Sequence, residues 1–260
     1  MKKIGFMMMT LLLLTTALTI NLVLAGGTNK GDLGTAQTID IYDLSTWDGV
    51  ENITDATEDN LNQTVTNVTD ITNVWMCNNY TYLFVRVDVA ENFTDFTGNF
   101  AIQLYVEDAN GTVAGNDTLL YTNAPDIEKN DINATYLFSV WSNGTFYRYN
   151  FSDTEWTMDV NLTDTAAADF NWTRNSFVMM INLTLLSSTG EIYTGNSFKF
   201  EVFTAFEDES GWLVADYLDY GTYTITGEVI PEFPNVFLMT MLLFFAGFLL
   251  AATKKLKLFR

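Results

Sequence analysis

Carboxylates dominate the side chains able to do chemistry in this chain: 32 Asp and Glu stand against 12 Lys and Arg, with one cysteine and no histidine. The missing histidine removes Ser-His-Asp and Cys-His catalysis and the usual zinc ligand sets in one step. It also removes the usual axial ligand of a haem, although ten methionines remain. Cys77 is alone, which excludes an intrachain disulfide. Two carboxylates flanking a sugar linkage can hydrolyse it without histidine. Acidic pairs occur throughout, however, and runs such as "EDE" at 207–209 and "TDATEDN" at 54–60 read as solvated loops. The stretch "DANGTVAGND" places Asp108, Asn110 and Asp117 on a glycine-containing loop, where oxygen ligands suit calcium. It lacks the terminal bidentate Glu of a twelve-residue calcium loop, and a plain hairpin turn reads it as well. No catalytic set stands out, so the expectation is a protein that is not an enzyme, with calcium as the one candidate cofactor.

Asparagine supplies a second kind of chemistry. Asn-X-Ser/Thr occurs at Asn52, Asn62, Asn67, Asn79, Asn92, Asn110, Asn116, Asn133, Asn143, Asn150, Asn161, Asn171 and Asn182, and twelve of these thirteen use Thr. Chance placement in so Asn- and Thr-rich a region predicts about four. The excess marks glycan attachment on an exported domain. Aromatic side chains supply a third kind. Exposed indole rings can stack on sugar rings while neighbouring polar groups orient hydroxyls. Trp141 lies on the strand parity opposite Tyr136, Phe138 and Val140, and Trp172 sits inside a sequon, so these two are the candidate platform residues. Trp47 and Trp75 read as core packing.

The elements that hold these residues are strands. "YLFVRVDV" puts Leu83, Val85, Val87 and Val89 on one face. "FAIQLYV" aligns Ile102, Leu104 and Val106, "TYLFSVWS" aligns Tyr136, Phe138 and Val140, and "TFYRYNF" aligns Tyr147, Tyr149 and Phe151. "SFVMMINLTLL" aligns Phe177, Met179, Ile181, Leu183 and Leu185, and "FKFEVFTAF" aligns Phe198, Phe200, Val202, Thr204 and Phe206. Period-two alternation with turn signals between runs predicts half-buried strands. "TAAADF" at 165–170 reads as a helical turn or a strand. Asn79 has the parity of Leu83, so it must sit in the turn before that strand. Many short strands with one apolar face predict an all-β fold, an antiparallel β-sandwich of immunoglobulin or jelly-roll type; an open barrel is the nearest rival.

The two ends differ from the middle. Lys2-Lys3, an apolar run from Ile4 to Val23 and Val23-Leu24-Ala25 have the anatomy of a signal peptide over 1–25. A flexible lead-in at 26–36 precedes the predicted sandwich at 37–229. The junction at 230–235, "IPEFPN", leads into an uncharged stretch at 236–253, which as a helix reaches about 27 Å and so crosses a hydrocarbon core. Lys254, Lys255, Lys257 and Arg260 in the tail at 254–260 fit the positive-inside rule. All 32 acids lie between Gly26 and Pro234, beside only six bases. Such a surface repels nucleic acid and anionic lipid.

Two resemblances add to this. "IDIYDLSTWDGV" and "NNYTYLFVRVDV", with "FVMMINLTLLSSTGEIYTGNSFKFEVFTA" later, resemble the family 9 carbohydrate-binding-module-like and DOMON-like sandwiches over residues 38 to 206. Asp40 and Trp47 match the opening pattern, while Tyr42 replaces its glycine and Thr46 its second aspartate. The resemblance implies a fold and, less directly, glycan binding. Pro231, Glu232 and Phe233, followed by the apolar span and Lys254-Lys255, resemble the PEF-CTERM type of archaeal sorting signal. That implies an archaeosortase as partner and removal of the span; the alternative is that Pro231 and Pro234 stiffen a stalk. The expected protein is therefore a glycosylated, non-catalytic cell-surface module anchored in the membrane, with envelope proteins or extracellular glycans as partners. Its role is structural or interactive, with carbohydrate binding as the alternative.

Overall fold

A computed structural model describes residues 31–55, 70–93, 98–111, 113, 115–120, 129–152, 154–208 and 211–227. The signal segment, Asn62, Asn67, the Pro231-Glu232-Phe233 junction, the 236–253 span and the basic tail lie outside the described residues. The chain divides into two units, Met1–Val229 and Ile230–Arg260, and every described residue belongs to the first. Among the described residues no helix is long and apolar enough to cross a membrane.

The fold is all-β. Its strands are β1 (Asp32–Leu33), β2 (Thr35–Ala36), β3 (Asn52–Thr54), β4 (Ile71–Asn78), β5 (Tyr82–Val89), β6 (Phe100–Val106), β7 (Asn116–Thr118), β8 (Lys129–Ala134), β9 (Tyr136–Trp141), β10 (Phe146–Ser152), β11 (Glu155–Asn161), β12 (Ala168–Thr173), β13 (Ser176–Asn182), β14 (Ser197–Asp208) and β15 (Gly211–Thr224). Seven form one sheet in the order β1-β15-β14-β6-β9-β10-β11; a second sheet runs β12-β13-β5-β4-β2, with β3 also on β4. Pairing is antiparallel except for β1 on β15 and β2 on β4. These two short strands lie within the stretch expected as a lead-in. "TAAADF" resolves into a turn followed by β12.

The alternating apolar residues do what their spacing predicts. Leu83, Val85, Val87 and Val89 from one sheet meet Ile102, Leu104, Val106, Phe138, Val140, Phe200 and Val202 from the other in one continuous core. Gly221 on β15 lies opposite Phe200. A Cβ there would come within 2.6 Å of the Phe200 ring and 2.7 Å of Ile53, so the missing side chain is what lets these two pack.

One parity prediction is corrected. Tyr147, Tyr149 and Phe151 were expected on the core face of β10. Phe146 faces the core instead, and Tyr149 packs in a separate cluster on the outside of the seven-stranded sheet. The reason is that both sheets carry apolar residues on both faces. Leu119 from the segment after β7, with Ile132 and Ala134 from β8, covers Tyr105, Leu137 and Phe203 on the outer face of the larger sheet. Ile39, Ile41, Trp47 and Val50 cover Cys77, Phe84 and Val178 on the outer face of the smaller one. Alternation shows that two faces differ, and fails as a guide to the core where both are buried.

The chain enters and leaves the sandwich side by side. A Cβ on Gly227 would lie 3.1 Å from that of Ala36. Asn78, fully buried at the end of β4, ties this region together. Its Nδ2 donates to Asn79 O (2.9 Å) and Thr226 O (2.8 Å). Its Oδ1 accepts from the Tyr223 hydroxyl (2.7 Å) and from Thr226 N (3.0 Å). β15 begins at the other end of the sandwich, at Gly211.

Candidate functional site

That opposite end carries an arrangement of a different kind. Ala101 on β6 pairs with Trp141 on β9 and with Ala205 on β14, and β15 places Trp212 opposite Glu207 of β14. From β9 to β15 is three strand spacings, about 14 Å. Yet the Trp141 and Trp212 rings meet edge to face with centroids 4.4 Å apart. Each indole must therefore lean across the outer face of the sheet, over Ala101 and Ala205. Only side chains as small as alanine leave room beneath, and both alanines are fully buried. An edge-to-face pair of this kind contributes about 1 kcal/mol beyond its area.

Gln103 and Ser139 pair directly across β6 and β9, one row nearer the middle of the same outer face. Both are fully buried. Among the described residues Gln103 Nε2 and Ser139 Oγ have no hydrogen-bond partner. The amide is oriented from behind: the Tyr105 hydroxyl lies 3.4 Å from Gln103 Oε1 and accepts from Leu120 N at 2.9 Å. Burial pushes the Tyr105 hydroxyl well above the ordinary tyrosine range, so it stays protonated and able to donate. Phe203 and Tyr147 extend the same row on either side of Gln103 and Ser139. At the rim, Asn99 Nδ2 donates to Glu207 Oε2 at 2.7 Å. The site is thus two indoles and flanking aromatic rings around an unpartnered N–H donor and hydroxyl, with a carboxylate and an amide at its edge.

Trp141 faces outward, as its parity predicts. Trp172 instead packs edge-on against Phe93 (4.9 Å) and Phe100 (5.0 Å) and lies 4.3 Å from Phe177, so its ring closes the edge of the core. Asp108 is buried and its carboxylate accepts from Ser188 N and Val113 N. Asn110 Nδ2 donates to Ser187 Oγ, Thr189 Oγ1 and Glu191 O. Asp117 is on β7. Among the described residues no group of three His, Cys, Asp or Glu is placed to hold a metal ion. Cys77 is buried, which pushes its thiol up to about 12 and makes it inert. Asn79 sits in the turn before β5, its Oδ1 accepting from Thr81 N and Tyr82 N.

Sequence reasoning missed Trp212, Gln103 and Ser139. Trp212 opens a strand just after "EDES", as Trp141 closes one just before "SNGT", and that shared position at a strand end was the available signal. Nothing local marks Gln103 or Ser139, because their importance comes from a pairing 36 residues apart in sequence.

No family model matches the chain, and no curated protein does. Among solved structures it is similar to a family 9 carbohydrate-binding module from Caldicellulosiruptor kristjanssonii in complex with glucose. Identity is 14%, coverage 78% of this chain and 100% of that one, and the TM-score 0.38. The same organism's family 9 module in complex with cellotriose gives 13% identity, 78% and 100% coverage and a TM-score of 0.39.

Proposed function

We propose that this chain is a non-catalytic, membrane-tethered surface module that holds extracellular carbohydrate between Trp141 and Trp212. The observation that carries the reading is the buried pair Gln103 Nε2 and Ser139 Oγ, unpartnered among the described residues, one row along the sheet from Trp141. A sugar hydroxyl both donates and accepts, so one hydroxyl can serve the amide donor and the serine together. Sugar C–H faces stack on aromatic rings, which the two indoles supply once they part. Asn99 and Glu207 at the rim are placed for further hydroxyls. None of these groups forms an acid–base pair across a cleft, which is why binding is favoured over hydrolysis.

The tether rests on other features. The uncharged stretch 236–253 is followed by a basic tail, and all acids precede it. Pro231, Glu232 and Phe233, immediately before that stretch, would be the signal that an archaeosortase reads.

The test is a glycan array and titration calorimetry on the full chain in detergent. Saturable binding of a polysaccharide is expected, with Trp141→Ala weakening it at least tenfold, about 1.4 kcal/mol. No binding to any glycan by folded protein ends the carbohydrate reading and leaves a structural envelope role.

A further inference from the structure

The thirteen sequons are not equivalent once folded. Attaching a sugar uses the side-chain Nδ2 and needs space around it. Asn171 has none to offer: its Nδ2 donates to Ile41 O (3.0 Å) and to Thr173 Oγ1 (3.1 Å), and Ile41 belongs to the segment that covers the smaller sheet. Asn110 is committed to three acceptors on the loop at 187–191, the shortest contact being 2.6 Å. Asn133 is exposed, but its partner Thr135 is buried and its hydroxyl accepts from Asp108 N. At Asn161 the Thr163 hydroxyl is held by the backbone of Phe146.

Asn143 differs from all of these. It is exposed in the turn between β9 and β10, two residues beyond Trp141. Its Oδ1 accepts from Thr145 N (3.0 Å) and Thr145 Oγ1 (2.8 Å), which leaves Nδ2 directed away with no hydrogen bond among the described residues. Gly144, at φ 88°, contributes no side chain beside it.

We infer that Asn143 is a glycan acceptor and that Asn110 and Asn171 are not, so that the protein carries its own sugar beside the tryptophan pair. The inference rests on the reading that the sandwich lies outside the cell. In the transfer, Nδ2 attacks the anomeric carbon of a lipid-phosphate-linked oligosaccharide. A carbon–nitrogen bond forms, the bond from carbon to phosphate oxygen breaks, the lipid phosphate leaves, and Nδ2 gives one proton to water.

Peptide mapping of the full chain recovered from its native membranes tests this. The Asn143 peptide is expected to carry sugar, and those of Asn110 and Asn171 to be bare. Thr145→Ala removes one glycan mass, Thr145→Ser keeps it, and both leave the melting temperature within a few degrees. A bare Asn143 with sugar on other sequons, or sugar on Asn110 or Asn171, overturns the inference and leaves export standing. No sugar anywhere overturns it too, and fractionation then shows separately whether the chain reaches the membrane.

Discussion

Asn78 at one end of the sandwich and the Gln103–Ser139 pair toward the other are equally buried, with no exposed surface at all. They are built in opposite ways. The Asn78 amide spends both its protons on backbone carbonyls and its oxygen on Tyr223 and Thr226. Gln103 receives one long contact from Tyr105, while its nitrogen and the Ser139 hydroxyl have no hydrogen-bond partner among the described residues. A buried polar atom without a partner costs about 1–3 kcal/mol. The fold therefore bears a cost one row from Trp141 that it avoids around Asn78.

The largest expected effect comes from breaking the satisfied end. Asn78→Ala strips the acceptor from Thr226 N, leaves the Tyr223 hydroxyl only Thr35 O at 3.2 Å, and takes the side-chain donor from Asn79 O and Thr226 O. Unfolding free energy should fall by about 3 kcal/mol or more, read by denaturant titration of the full chain in detergent. A loss below about 1 kcal/mol would make the two ends alike and void the contrast.

Alkali should act next. Burial raises the Tyr105 and Tyr223 hydroxyls, and it pushes Tyr136 up to about 12. A folded-state value above the unfolded one gives stability that is complete below pH 10 and lost as pH climbs through the folded values. Tyrosinate absorbance from these three residues should therefore rise together with loss of β signal above pH 10. Titration of all tyrosines near pH 10 with the fold intact would refute this.

The smallest effect on stability is expected at the unsatisfied end. Gln103→Met with Ser139→Ala removes both orphaned groups while keeping much of their volume. Stability should change by no more than about 1 kcal/mol in either direction, and calorimetric glycan binding should disappear. A strongly destabilised double variant would mean that these atoms serve the fold.

The core strands were legible because they are half-buried in the ordinary way. Leu83 to Val89 and Phe177 to Ile181 alternate, and alternation records a difference between faces. The same rule misplaced Tyr147, Tyr149 and Phe151, since β10 has apolar neighbours on both sides. What covers the outer faces was hidden for a related reason. Ile39 to Val50 and the β7–β8 pair reach sheets built from distant sequence, and no local period announces such a partner. Trp141 could be assigned a direction from its own strand. Its contact with Trp212, and the alanines that allow it, depend on registers across four strands.

β15 starts beside Trp212 and ends three residues before Gly227, so it runs the length of the sandwich. It is held along most of that length by β14. Ladder bonds lie across the strand direction. A pull along β15 thus loads many of these bonds at once, in shear, instead of peeling them apart one by one. The seam between β14 and β15 is therefore most resistant to force directed along it.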